Sequence, residues 1–155
     1  GAYGGRKEIM DYVSPSGPVY QAGTLSGNPI AMSAGLTMLH YLNDHPEVYQ
    51  YLEKITERIT AGIQNNLNDL DLNYTLNQIG SMFSLFFTDQ NVTNFEEAKS
   101  CDTVLFGKYF KSMLDNGVYL APSQFESLFL SAALDDELAD SIIIANRSAL
   151  QSITA

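Results

Sequence analysis

The 155-residue sequence has no tryptophan, a single cysteine, and only eight lysines and arginines against eighteen aspartates and glutamates. Each shortage excludes something. One cysteine, Cys101, forms no intrachain disulfide and supplies no thiolate metal cluster. This usage fits a reducing compartment, so a cytoplasmic location is expected. A net charge of −10, with the basic residues scattered singly, repels nucleic acid and anionic membrane, so neither is expected as a partner. No apolar run approaches the roughly 20 residues that cross a bilayer. There is no starting methionine and no basic-then-apolar leader. The opening GAYGG reads as the interior of a longer chain, and a fragment is expected. His40 and His45 have no serine, aspartate or cysteine at a suggestive spacing, and no carboxylate–histidine cluster has metal-ligand spacing, so no metal is expected. The sequons at Asn73, Asn91 and Asn146 carry no weight in a cytosolic protein.

What is present is an ordinary globular composition, 45% hydrophobic and 17% charged. Residues 6–12 are a short helical candidate, ended by SPSGP at 14–18. Residues 14–27 read as a loop. From Asn28 the pattern is helical, with Pro29 at the first helical position. The run NPIAMSAGLTMLHYL is apolar on nearly every side, which predicts a helix packed against protein all round. A second helix from His45–Pro46 carries the stripe Val48, Leu52, Ile55, Ile59, Ile63 and Leu67, with charges off it. From residue 72 the texture changes. Alternation through Leu72, Tyr74 and Leu76, a turn at Ile79-Gly80, and the run 81–87 predict an antiparallel strand pair. A helix over 102–115 stops at Asn116-Gly117. Short strands at 118–120 and 128–130 flank the loop APSQFES, and Asp135, Asp136 and Glu137 open a last helix. The expected class is α+β, helices on one face of a small, largely antiparallel sheet.

Two loops hold candidate chemistry. QAGTLSGNP, at 21–29, puts free N–H groups and the Thr24 and Ser26 hydroxyls at a helix amino terminus, a ready anion site. The same residues could equally cap only their own helix, since the spacing is neither a P-loop nor a dinucleotide fingerprint. In APSQFES, Glu126 and Gln124 stand between two apolar strands. Glu126 is either a buried acid or base or an exposed carboxylate at a hairpin tip.

GAYGGRKEIMDYVSPSGPVYQAGTLSGNPIAMSAGLTML, GSMFSLFF and GVYLAPSQFESLFLS together resemble the class III aminotransferase group of fold-type I pyridoxal-phosphate (PLP) enzymes. QAGTLSGNP with APSQFE is more similar to its glutamate-1-semialdehyde 2,1-aminomutase branch than to the transaminases, which tend to carry H-x-x-T-F-x-G-N-P. The resemblance covers essentially the whole chain. It implies that residues 1–27 are the tail of the PLP-binding domain, 28–44 an inter-domain helix, and 45–155 the small carboxy-terminal domain. It implies that Gly23 and Thr24 donate to the phosphate of PLP held by the neighbouring subunit of a homodimer, with Tyr20 and Gln21 near that interface. Glu126 then corresponds to a glutamate near substrate and cofactor, in a supporting electrostatic or hydrogen-bonding role. The Schiff-base lysine of the family lies a few residues before GAYGG, so Lys7 does not match it, and the stretch alone is expected to be inactive. The implied reaction converts (S)-glutamate 1-semialdehyde to 5-aminolevulinate, in tetrapyrrole synthesis. A different class III transaminase and a non-catalytic association module are the alternatives.

Overall fold

A computed structural model describes residue 1 and residues 3–154. The chain forms two compact units, residues 1–46 and residues 47–155.

In the first unit, α1 (Lys7–Met10) leads into a loop closed by a bridge between Val13 and Val19. Ser14 N–H donates to Val19 O at 2.8 Å, and Val19 N–H to Tyr12 O at 2.9 Å. A Cβ on Gly17 would stand 2.4 Å from Tyr12 backbone atoms, so only glycine fits that approach. The helix α2 (Pro29–Asp44) follows, begun as the Asn-Pro signal predicts. Its expected all-round packing is not found within this chain: none of its residues is buried. Ile30, Met32, Leu36 and Leu39 are all more than half exposed. Apolar residues drive a helix to be covered, and among its described residues the first unit does not supply the cover.

The second unit has a core. In α3 (Glu47–Asp69) the predicted stripe buries Ile55, Ile59, Ile63 and Leu67. It lies against α6 (Asp136–Thr154), which buries Ala139, Ala145, Ala149 and Leu150. The small residues of that crossing bring the backbones close. A Cβ on Gly62 would overlap Ile143, 2.4 Å from its Cδ1. On the same core lies a three-stranded antiparallel sheet of order β1-β2-β3: β1 (Thr75–Ile79), β2 (Met82–Phe86) and β3 (Leu128–Phe129). Ile79 pairs with Met82 across a two-residue turn in which Gly80 takes φ +52°, as such hairpins require. The α+β architecture with an antiparallel sheet is therefore the one expected.

Two local features differ. Residues 118–120 form no strand. Gly117 adopts φ +84°, and the Val118 N–H reaches back to Met113 O at 2.9 Å, closing the end of α5 (Thr103–Asp115). The amide that a strand would have used is committed to the helix stop. Between β2 and α5 a further helix, α4 (Phe95–Lys99), appears that periodicity did not predict. Its five residues are too few to show a period. A polar seam crosses the core, where Asn66 donates to Asn146 Oδ1 at 2.9 Å and Asn146 donates to the Tyr109 hydroxyl at 2.8 Å. Burial pushes the Tyr109 hydroxyl up to about 12.

Candidate functional site

In the first unit, residues 23–28 wind into two overlapping turns. Ser26 N–H donates to Gly23 O and Asn28 N–H to Leu25 O, both at 3.0 Å, with Gly27 at φ +73°. Asn28 is the helix cap: its side-chain oxygen accepts from Ile30 N–H at 3.0 Å and Ala31 N–H at 3.2 Å. Capping thus accounts for Asn28 but not for the residues before it. Among the described residues, no hydrogen bond engages the Thr24 hydroxyl or the Thr24 and Leu25 N–H groups. These donors face solvent at the positive end of a 16-residue helix. A Cβ on Gly23 would stand 3.0 Å from Ser26 Oγ, so the turn is tight there. The donor set fits a phosphate. Tyr20, 82% exposed, and Gln21, also exposed, precede the turn and lend it no bond.

In the second unit, APSQFES makes a turn of its own. Glu126 N–H donates to Ser123 O at 3.1 Å and Phe125 N–H to Ser123 Oγ at 3.2 Å. Glu126 is exposed, as its second sequence reading has it, but not at a hairpin tip, because residues 118–120 form no strand. Gln124 is the reverse case, only 5% exposed. Its Nε2 donates to Ala98 O in α4 at 3.2 Å, while its Oε1 has no partner among the described residues. Behind the turn lies a pocket of about 20 Å³, room for roughly one water, bordered by Phe83, Leu85, Tyr109, Leu120, Gln124 and Glu126.

α4 carries a signal that sequence reading passed over. Asn94-x-x-Glu97 is a capping pattern: Asn94 accepts from Glu97 N–H at 3.0 Å, and the Glu97 carboxylate accepts from Thr93 N–H at 2.6 Å and its hydroxyl at 2.8 Å. Those bonds hold the Glu97 carboxyl below its ordinary range. Cys101 is buried beside Phe86 and Val92, which pushes its thiol up and away from reactivity. His45 stacks on Tyr41 with ring centroids 4.4 Å apart, a packing role. Among the described residues there is no group of side chains that could hold a metal ion, and no helix long and apolar enough to cross a membrane.

The chain is 56% identical over 153 residues to a glutamate-1-semialdehyde 2,1-aminomutase of Cytophaga hutchinsonii, covering 99% of this chain and 36% of that protein. A glutamate-1-semialdehyde 2,1-aminomutase of Thermus thermophilus is 48% identical over 149 residues, covering 96% of this chain and 35% of its own length. The chain thus spans about a third of the curated relatives it matches, 36% and 35%. Among solved structures, an omega-transaminase from Sphaerobacter thermophilus superposes with TM-score 0.75 at 22% identity, over 98% of this chain and 35% of that one. A β-phenylalanine aminotransferase from Variovorax paradoxus gives TM-score 0.68 at 25% identity, over 96% and 34%. Residues 1–145, which include both the open-donor turn and the Glu126 turn, match the class-III aminotransferase family. The chain belongs to that family.

Proposed function

We propose that the full-length protein is a PLP-dependent aminomutase that converts (S)-glutamate 1-semialdehyde to 5-aminolevulinate, feeding porphyrin synthesis in the cytoplasm. The observation that carries this reading is the identity to glutamate-1-semialdehyde aminomutases across almost the whole chain, about twice that to the transaminase structures (56% against 22–25%). The APSQFE turn and the QAGTLSGNP turn support it from the residues upward.

The Thr24 hydroxyl and the Gly23 and Thr24 N–H groups are proposed to donate to the cofactor phosphate. The turn leaves them without a protein partner, so no intramolecular hydrogen bond has to break first, and the helix end adds favourable field. Bound PLP would supply the electron sink through which an amino group is taken up and returned. Glu126, a carboxylate on a short turn, is proposed to accept hydrogen bonds from the ammonium end of the substrate and so orient it. The uncovered apolar residues of α2 support a homodimer in which the phosphate turn serves the partner's cofactor, with Tyr20 and Gln21 near the interface. The PLP-binding lysine is expected upstream of Gly1. Residues 1–27 would then be the tail of the cofactor domain, 28–44 an inter-domain helix and 45–155 the small domain, and residues 1–155 alone should not turn over.

The test is to give the full-length protein glutamate 1-semialdehyde with no other amino compound. Formation of 5-aminolevulinate is the expected result. Turnover that waits for an added amino donor would assign an ordinary transaminase instead.

A further inference from the structure

We propose that Gln124 is a positioning residue: its buried amide pins the 121–127 turn to α4 and thereby fixes where the Glu126 carboxylate stands. The inference rests on the preceding reading for what Glu126 serves, but the tether itself does not.

Gln124 is an expensive residue for its place. It is 95% withdrawn from solvent, as its 5% exposure gives, and its Oε1 finds no donor among the described residues. An apolar side chain of similar length would fill the same space without stranding a polar atom. What the amide provides in exchange is one bond, Nε2 to Ala98 O at 3.2 Å, across 26 residues of sequence. That bond has a firm base. Ala98 packs on Phe86 of β2, Val92 and Cys101, and α4 is capped at its start by Asn94 and Glu97. A second contact joins the same two segments, the Phe125 ring to the Phe95 ring at 5.7 Å between centroids.

Glu126 therefore hangs between two anchors. Two residues before it, Gln124 is tied to α4. Two residues after it, Leu128 enters β3 and pairs with Phe83 of β2. The carboxylate itself is exposed and makes no tether of its own. With the Gln124 anchor cut, the turn keeps the Ser123 bonds, which are local and move with it, and the contact of the exposed Phe125 and Phe95 rings, which has no directional bond to fix it. A carboxylate that must meet a substrate group to within a fraction of an ångström loses that placement when its turn swings.

The experiment uses full-length Gln124→Leu, Glu126→Gln and the double variant. Amide exchange at Phe125 and Glu126 should rise about tenfold in Gln124→Leu, because opening of the turn is no longer opposed. Its kcat should fall while KM changes little. In the Glu126→Gln background the same substitution should cost less than about twofold more, since a residue acting through another has nothing left to position. Unchanged exchange at those two amides, or losses that multiply in the double variant, would overturn the proposal. If Gln124→Leu does not fold, Gln124→Met replaces it, because it keeps the length of the side chain and removes the amide that bonds Ala98 O; the same exchange and coupling criteria apply. Exchange that rises in a protein making no 5-aminolevulinate would leave the tether standing and sink the aminomutase reading. An active enzyme with unmoved exchange would do the opposite.

Discussion

Residues 1–46 and residues 47–155 solve opposite problems with similar material. Each contains a long helix rich in apolar side chains, yet α3 buries seven residues and α2 buries none. The difference is in the spacing. In α3 the apolar residues keep to one stripe, and charges such as Glu57 and Arg58 occupy the rest, so one covered face suffices. In α2 apolar and small residues surround the axis. Such a helix reaches low free energy only when enclosed, and the described residues of its own unit do not enclose it. The second unit carries its own hydrophobic core; the first carries surface prepared for something else.

The largest effect expected from this contrast is at Leu67, fully buried in α3. Leu67→Ala should destabilise the second unit by about 2–5 kcal/mol in urea unfolding. Leu39→Ala, at an exposed position of α2, should cost less than about 0.5 kcal/mol, and a larger cost would show that Leu39 is covered in the full-length protein.

The next effect is on pH. Tyr109 titrates near 12 in the fold against an ordinary 10, and the fold favours its protonated form. The stabilisation is complete below pH 10 and is lost as pH rises from 10 to 12, about 2–3 kcal/mol in all. Tyr109→Phe should remove that portion of the alkaline loss while lowering stability at neutral pH, because Asn146 loses its acceptor. Unfolding midpoints measured from pH 8 to 11.5 would reveal whether the slope survives in the variant.

Thr24→Val should leave unfolding almost untouched and weaken the full-length protein's affinity for PLP by about tenfold or more, the loss of one charge-assisted hydrogen bond. Equal affinity by fluorescence titration would remove Thr24 from the phosphate set. The smallest effect is a change of sign. Gly62→Ala overlaps Ile143 and should cost about 1 kcal/mol, whereas Gly35→Ala meets nothing within 4 Å and should raise the helicity of α2 by roughly 0.5–1 kcal/mol. Should Gly35→Ala destabilise the full-length protein, α2 is closely covered there.

Much of this was legible beforehand. The α3 stripe, the hairpin at Gly80 and the Asn28-Pro29 helix start are local signals, and local physics enforces them. Residues 118–120 misled because Val, Tyr and Leu favour strands, while the neighbouring Gly117 had already claimed the Val118 amide for a helix stop. α4 was hidden by its length, although Asn94 and Glu97 announced it by capping. For the candidate site, the composition of the 21–29 turn suggested donors but could not separate capping from binding. That distinction depends on which N–H groups Asn28 takes, a matter of three dimensions. The bond from Gln124 to Ala98 spans elements whose pairing no local pattern encodes.

The cap at Asn28 has one consequence beyond the start of its helix. By satisfying Ile30 and Ala31 itself, it lets α2 begin without a ligand in the neighbouring turn. An anion arriving at Thr24 would find the helix already built, so its binding energy is not diverted into ordering the backbone. Occupancy of that turn and integrity of that helix stay linked through the field of the helix end alone: what the helix adds to anion binding, a bound anion returns to the helix.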